Sequence, residues 1–264
     1  MVDAEVHVID RGGLLCDRNS LLEGHTRATH SDQNPDLEYA ELPVYAFVIE
    51  HPAATILWDT GVHHAAAAGH WPDGLCEAFY PYDAADHRLD DDLAAAGFGI
   101  DDIDAVFQSH LHVDHAGGLE WFAGTDTPVY VHERELQFAY YDAVAGAGDG
   151  GYLRADFDHD LNWVPLTRDR ETHFTDLEFV RLPGHTPGLT GSVLHLETET
   201  LLFTGDQAAL PENYEAGVPP GGDFVWGKTE WRASRHHLRE IEQQHDATVV
   251  FGHDRGGLAD AQSR

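Results

Sequence analysis

Three histidines and one aspartate occur within six residues of this chain, in the run His110-Leu-His112-Val-Asp114-His115. The residues that lead into this run, 104–110, are largely apolar and predict a short buried strand. His110 and His112 lie on the same side of an extended segment, because side chains alternate along it. Imidazole and carboxylate groups at this density indicate a metal site at the end of the strand.

Three further segments place a histidine or an aspartate directly after a predicted strand. They are Pro-Gly-His185-Thr-Pro-Gly, Thr-Gly-Asp206 and Phe-Gly-His253-Asp254. A glycine beside each of these residues permits a sharp turn there. Each histidine by itself is more typical of a surface or hydrogen-bonded side chain, but together they indicate a shared ligand set.

The number of candidate ligands predicts the number of metal ions. Five imidazoles and two carboxylates exceed what one tetrahedral Zn²⁺ accepts, so we expect two ions. The sequence assigns His110, His112 and His185 to one ion, Asp114, His115 and His253 to the other, and Asp206 to a bridging position. Two ions about 3.5 to 4 Å apart lower the pKa of a shared water toward neutrality, which predicts hydrolysis. Zn²⁺ is the expected metal, with Mn²⁺, Fe²⁺ and Co²⁺ as alternatives.

The remaining pattern predicts an α+β fold in which two mixed sheets pack together between outer helices, as a single domain over residues 1–264. Strands are predicted at residues 5–10, 44–50, 55–60, 104–110, 128–132, 177–182, 190–197, 200–205 and 248–253. Helices are predicted at residues 86–96, 133–142 and 230–245. Residues 11–41 and 70–82 are predicted to be loops, and the glycine-rich run 145–151 a flexible connection.

Charge restricts the partners of the chain. Lys and Arg total 15 against 47 Asp and Glu, a formal net charge of −32. Such a surface repels nucleic acid and anionic membranes, because both are bound through cationic side chains. The acids are spread along the whole chain, which predicts a salt-adapted, halophilic surface. The chain has no apolar run of about 20 residues and no signal-like start, so we expect a soluble cytoplasmic protein.

The motifs together resemble a known family. The H-x-H-x-D-H run, Asp59-Thr60-Gly61, Pro-Gly-His185 and Gly-Asp206 are similar to the metallo-β-lactamase superfamily. More narrowly, the length, the ligand set and Phe-Gly-His253-Asp254 resemble the N-acyl homoserine lactonases, which act in quorum quenching, over nearly the entire chain. The resemblance implies an αββα sandwich, a dinuclear zinc centre, opening of the lactone ring of a small-molecule ester or lactone substrate, and a homodimer.

The resemblance also implies roles for individual residues. A hydroxide shared by the two metals attacks the lactone carbonyl, and Asp114 protonates the departing alkoxide. Asp59 is expected to accept a hydrogen bond from a ligand imidazole and so fix its tautomer. Similar lactonases usually carry a tyrosine three residues after the bridging aspartate, where this chain has Ala209. Tyr214 is the candidate to replace this donor to the substrate carbonyl, with simple core packing as the alternative.

The bound acyl chain of such a substrate requires an apolar channel. Residues 70–82 supply aromatic side chains for one, and core packing or a dimer contact are the alternatives.

Two other catalytic functions use the same ligand run. A thioesterase of the glyoxalase II type, acting on another ester or thioester, needs cationic residues near its C-terminus, where Arg235, Arg239 and Arg255 occur without a lysine. An iron-dependent persulfide dioxygenase-like oxidoreductase needs the ligands of only one ion, whereas this chain retains both sets. A metal-binding protein without catalysis is a further alternative, motivated by Ala209. The net charge disfavours a nuclease.

Overall fold

The computed structural model describes residues 1–146 and 151–254, so residues 147–150 of the glycine-rich run and Arg255 lie outside the described residues. The strands are β1 Glu5–Asp17, β2 Tyr39–His51, β3 Ala54–Trp58, β4 Tyr80–Tyr82, β5 Ala105–Phe107, β6 Pro128–His132, β7 Asn162–Leu166, β8 Arg170–His173, β9 Leu177–Arg181, β10 Thr190–His195, β11 Thr200–Phe203 and β12 Thr248–Val250. The α-helices are α1 Arg18–Leu21, α2 Asp73–Ala78, α3 Leu89–Ala95, α4 Glu133–Ala145, α5 Arg154–Phe157, α6 Pro211–Glu215 and α7 Lys228–His245.

The strands form two mixed sheets. The first has the order β4-β1-β2-β3-β5-β6-β7, in which the contacts from β3 to β7 are parallel and the others antiparallel. The second has the order β12-β11-β10-β9-β8, in which only β11 and β12 run parallel. The predicted pair of mixed sheets is therefore confirmed.

Aromatic side chains fill the space between the two sheets. Trp58 of β3 and Phe107 of β5 stack with ring centroids 5.6 Å apart, and Phe107 stacks on Phe179 of β9 at 3.4 Å. Alternate residues of the same strands point to the opposite face, where Leu57 and Val106 pack in a core cluster with buried residues of α3 and α4. This alternation explains why the strands are apolar on both faces.

Helix α7 covers the outer face of the second sheet. Its residues Leu238 and Ile241 are buried against Val193 of β10 and Leu202 of β11. The order of layers is therefore helix, sheet, sheet, helix, which confirms the expected αββα sandwich. Within the described ranges, no helix is both long and apolar enough to cross a membrane.

The prediction of a loop over residues 11–41 was wrong at both ends. β1 continues to Asp17, α1 follows it, and β2 begins at Tyr39. The register of β1 against β2 shifts between Asp10 and Gly13, and Gly12 has a φ of +76°. A bulge therefore lets the strand pass through a polar sequence, and the Arg11 side chain is buried at 1 % exposure.

The prediction of a loop over residues 70–82 was also wrong, because this segment contains α2 and β4. β4 pairs with β1 for only three residues, from Tyr80 to Tyr82, which is too short to give a periodic pattern. Trp71 is buried at 2 % exposure in the core beside Ala66 and Leu75. The edge strands β7 and β8 were not predicted either, and α3 begins three residues after the predicted start of its helix.

Candidate metal centre

The loops that follow five strands carry the candidate ligands. Asp59 directly follows β3, and the His110–His115 run begins three residues after β5 ends. The loops after β9, β11 and β12 carry His185, Asp206 and His253. The seven residues predicted to bind metal meet there in two adjoining groups, and none of these residues is more than 8 % exposed.

Three imidazoles form the first group. His185 Nε2 lies 2.9 Å from His112 Nδ1 and 3.2 Å from His110 Nε2, and these two histidine nitrogens are 3.1 Å apart. Ligand nitrogens around a tetrahedral Zn²⁺ are about 3.3 Å apart when each Zn–N bond is about 2.05 Å. The three nitrogens therefore form one face of a coordination site of nearly the right size.

Two imidazoles and two carboxylates form the second group. Asp114 Oδ2 lies 3.6 Å from His253 Nε2 and 3.7 Å from His115 Nε2. Asp206 Oδ1 lies 3.0 Å from the same nitrogen of His253 and 3.4 Å from that of His115.

Asp206 lies between the two groups. Its Oδ1 faces His115 and His253, whereas its Oδ2 lies 3.6 Å from His185 Nε2 in the first group. One carboxylate thus presents an oxygen to each group, which is the bridging arrangement expected from the sequence.

Hydrogen bonds on the far side of the rings fix the orientation of three imidazoles. His185 Nδ1 donates to the Phe224 carbonyl oxygen at 2.7 Å, and His253 Nδ1 donates to that of Pro43 at 2.7 Å. His115 Nδ1 donates to Asp59 Oδ2 at 2.9 Å, as expected for Asp59. With the proton on Nδ1, each ring directs the Nε2 lone pair into the site.

Asp59 also holds the start of the ligand run. Its Oδ1 accepts from the Ser109 backbone N–H at 2.7 Å, and its Oδ2 accepts from the Ser109 hydroxyl at 2.7 Å. His110 Nδ1 in turn donates to Ser109 Oγ at 3.0 Å. Asp59 has a φ of +57°, a left-handed conformation that aspartate tolerates better than most residues.

The electrostatics differ between the two groups. Burial lowers the pKa of His110, His112 and His185, so these rings are neutral at pH 7 and can donate a lone pair. Burial also lowers the pKa of His115 and His253, but Asp206 and Asp114 outweigh burial and raise both pKa values above the usual imidazole value. Protons therefore balance the buried carboxylates in the metal-free chain, and a divalent cation would replace them.

The polar atoms of the second group lack other partners. His115 Nε2, His253 Nε2 and Asp206 Oδ1 are buried, and the oxygen faces the two nitrogens across 3.0 to 3.4 Å, but none of the three atoms has a hydrogen-bond partner of suitable geometry among the described residues. Buried polar atoms normally have a hydrogen-bond partner, and an ion satisfies such atoms where no donor is present. The residues therefore fit two divalent cations.

A cavity of about 830 Å³ opens next to both groups. His112, Asp114, His185 and Asp206 form its base. Its walls are mostly apolar and include Leu14, Leu21, Leu42, Pro72, Leu75, Phe79, Val113 and Phe224. Among the described residues that line it there is no lysine or arginine, so the cavity suits a neutral substrate with an apolar part.

The structure contradicts the role expected for Tyr214. This side chain is 3 % exposed, packs against Phe251, and donates its hydroxyl hydrogen to Glu242 Oε2 at 2.5 Å. It does not line the cavity, whereas Ala209 does. Helix α6 turns the ring of Tyr214 toward α7 instead of toward the metal centre, so core packing is the correct alternative.

Sequence reasoning missed two buried polar residues beside the ligands, Ser109 and Glu135. Ser109 links Asp59 to His110, and its place directly before the ligand run was the available signal. Glu135 lies in the first turn of α4 and is 0 % exposed. An acid at this position usually reflects the favourable charge at a helix N-terminus, so its sequence gives no signal of burial.

Comparison with known proteins places the chain in a family. The family model described as "Metallo-beta-lactamase superfamily" matches residues 39–253. The N-acyl homoserine lactonase AttM of Agrobacterium fabrum (strain C58 / ATCC 33970) is 32 % identical over 96 % of this chain and 94 % of its own length. The N-acyl homoserine lactonase AiiB of the same organism is 30 % identical over 97 % of this chain and 95 % of its own length.

A solved structure agrees with these sequence relatives. It is an N-acyl homoserine lactone hydrolase with the product N-hexanoyl-L-homoserine bound at the catalytic metal centre, and it is 25 % identical. The superposition has a TM-score of 0.80 and covers 100 % of this chain and 97 % of the other. The resemblance inferred from the motifs is therefore confirmed, and the chain belongs to the metallo-β-lactamase superfamily.

Proposed function

We propose that this chain is a dinuclear metal-dependent hydrolase that opens the lactone ring of N-acyl homoserine lactones. The observation that carries the proposal is that the seven-residue ligand set lies next to an apolar cavity, which four of the seven residues line. The sequence relatives named as N-acyl homoserine lactonases support the same substrate class.

The two parts of the cavity match the two parts of such a substrate. An uncharged lactone ring can lie against His112, Asp114 and His185 at the base. An acyl chain can then lie against the apolar wall, which includes Phe79 and Phe224 with ring centroids 5.0 Å apart. The prediction that residues 70–82 help to form an apolar channel agrees with the lining, although Trp71 of that segment belongs to the core.

The same lining disfavours glutathione thioesters as substrates. Glutathione carries carboxylates, and the side chains of Asp17 and Glu77 add negative charge to the cavity wall. Without a lysine or arginine among the described lining residues, binding of an anion there is unfavourable.

Each part of the site would have its own role in hydrolysis. When bound, two divalent cations supply Lewis acidity and acidify a water, which provides a nucleophile near pH 7. The three imidazoles of the first group and the four side chains of the second would hold these ions, most simply as Zn²⁺. Asp114, which lines the cavity, would give the departing alkoxide its proton. Asp59 keeps His115 in the orientation that this arrangement requires.

Asp114→Asn tests the proposal. We expect the wild-type protein to contain two ions and to release acid from an N-acyl homoserine lactone in a pH-stat. The variant should lose at least about 100-fold in kcat, because an amide cannot supply the proton. Metal content measured by mass spectrometry on the same samples separates loss of the ion from loss of proton transfer.

Glu77→Gln is the matched control, since it removes one acidic side chain from the cavity wall without touching a ligand. It should leave the rate within a few-fold of wild type. Two bound ions without lactone turnover in the wild-type protein would refute the lactone substrate, and a glutathione thioester would then be assayed next.

A further inference from the structure

A fully buried carboxylate that belongs to neither ligand group lies behind the first one. Glu135, in the first turn of α4, accepts hydrogen bonds from three directions. Its Oε1 accepts from the Leu111 backbone N–H at 3.1 Å and from the Tyr152 hydroxyl at 2.7 Å. Its Oε2 accepts from the Thr186 hydroxyl at 2.5 Å. All three partners are donors, so both carboxylate oxygens are engaged as acceptors.

Two of the three donors, Leu111 and Thr186, belong to the segments that carry the three imidazoles of the first group. Leu111 lies between His110 and His112 in the chain, and Thr186 directly follows His185. The ring of Tyr152 also packs edge-on against His112, with centroids 4.4 Å apart. One carboxylate thus connects two loops that are 75 residues apart in sequence.

Besides connecting the two ligand loops, Glu135 changes the charge around the first group. The first group consists of three imidazoles and shares only Asp206 with the second, whereas the second group also contains Asp114 and has Asp59 behind it. A carboxylate in a buried environment acts over a longer range than one in water, because the local dielectric constant is low. Glu135 therefore adds negative charge on the side of the centre that has fewer carboxylates.

We propose that Glu135 is a positioning residue that sets the metal affinity of the His110/His112/His185 group and leaves that of the other group largely unchanged. It does so by holding the two ligand loops in register and by supplying buried negative charge behind them. A carboxylate is expensive to bury, so its presence here calls for a compensating interaction of this kind.

The test uses the metal-loaded protein with Zn²⁺ and compares Glu135→Gln with wild type during titration with a chelator. Glutamine has the same shape as glutamate and keeps one acceptor oxygen, but it carries no charge. Its NH₂ group cannot accept a hydrogen bond, so one of the donors loses its acceptor. We expect one of the two Zn²⁺ ions to be lost at about 10- to 100-fold lower chelator concentration, the usual effect of losing a partner outside the ligand set. The second ion should be retained as in wild type.

Glu133→Gln is the matched control, because Glu133 lies on the same turn of α4 and is partly exposed. It removes the same charge without contact to the ligand loops and should behave as wild type. Electronic spectra of the Co²⁺-loaded variants show which coordination environment changes. Equal retention of both ions in Glu135→Gln, or equal weakening of both, would overturn the proposal.

Tyr152→Phe keeps the proposal testable if Glu135→Gln does not fold. This change removes one hydrogen bond to Glu135 Oε1 and preserves the ring that packs on His112. It should weaken the same single ion by a smaller factor, and unchanged retention would count against the proposal. Excess Zn²⁺ should restore site occupancy in both variants, since all three ligand nitrogens remain. These readouts need no substrate, so they stand apart from the lactone proposal.

Discussion

At the scale of single residues, the environment of Tyr214 decides what its hydroxyl can do. The hydroxyl donates to Glu242 on α7, and the guanidinium of Arg239 lies 5.5 Å from the centre of the ring. Burial and the Glu242 carboxylate raise the pKa of Tyr214, so it stays protonated at any physiological pH. The hydroxyl hydrogen of Tyr214 is therefore used in a hydrogen bond between α6 and α7 and is not available to a substrate.

Tyr214→Phe should therefore leave kcat/KM for a lactone unchanged within about two-fold. It should lower the free energy of unfolding by about 0.5–1.5 kcal/mol, the usual net value of one hydrogen bond. Denaturant unfolding and a pH-stat assay on the same preparation measure both quantities. A loss of 100-fold in rate at normal stability would show that Tyr214 reaches the substrate after all.

Residue type alone predicted the candidate ligands but not the residues, such as Glu135, that hold the ligand loops in place by hydrogen bonds. His110 to His115 are recognisable because the ligands are close together in the chain, and Asp59 because it ends a strand. Glu135 contacts residues that are 24 and 51 positions away, and nothing in its neighbourhood in the sequence indicates this. Supports of this kind depend on tertiary contacts, which local patterns do not record.

At the scale of secondary-structure elements, the His185 loop is fixed by its contact with the start of α7. The Gly227 N–H donates to the Gly184 carbonyl oxygen at 3.0 Å, and the Trp226 N–H donates to that of His185 at 3.1 Å. Gly184 has a φ of +152°, and a β-carbon placed on it would lie 2.3 Å from the Trp231 Cα. Only glycine allows the loop and the helix to approach so closely.

Gly184→Ala should lower the free energy of unfolding by about 2–5 kcal/mol, because backbone strain and overpacking add together. It should also reduce retention of the ion bound by His185. Gly69→Ala is the matched control, because Gly69 has a φ of +102° but a β-carbon there would have no neighbouring atom within 4 Å. Backbone strain without overpacking should lower its free energy of unfolding by about 1–2 kcal/mol. Urea unfolding of the two variants gives the comparison, and equal destabilisation would contradict the steric argument.

The accuracy of the predicted bounds did not depend on length alone, because β2 has 13 residues and was predicted only over 44–50. β6 matches its predicted range, and α7 begins two residues before its predicted start and ends where predicted. β1 was cut short at Asp10 because the bulge at Gly12 interrupts its alternation. β4 and β8 have three and four residues, and their pairing with β1 and β9 identifies them as strands.

At the scale of the whole molecule, the net negative charge opposes the compact state. A formal charge of −32 on 264 residues makes the folded chain repel itself. The Debye length falls from about 30 Å at 0.01 M salt to about 3 Å at 1 M, so molar salt screens most of this repulsion.

The melting temperature should therefore rise between 0.01 M and 1 M NaCl, as expected for a salt-adapted surface. Scanning calorimetry of the metal-loaded protein measures it, with sucrose at matched osmolality as the control that does not screen charge. A melting temperature that stays constant or falls would refute the halophilic prediction.

The sequence by itself determined the candidate ligand residues, their predicted division into two groups and the layered order of strands and helices. These features follow from local patterns, since hydrophobic periodicity specifies strands and helices and clustered imidazoles specify metal binding. Tertiary structure alone decided that Tyr214 faces α7, that Glu135 lies behind the first ligand group, and that Ala209 faces the cavity. The direction of such side chains depends on how α4, α6 and α7 pack against the sheets, and this packing arises from contacts between residues far apart in the chain.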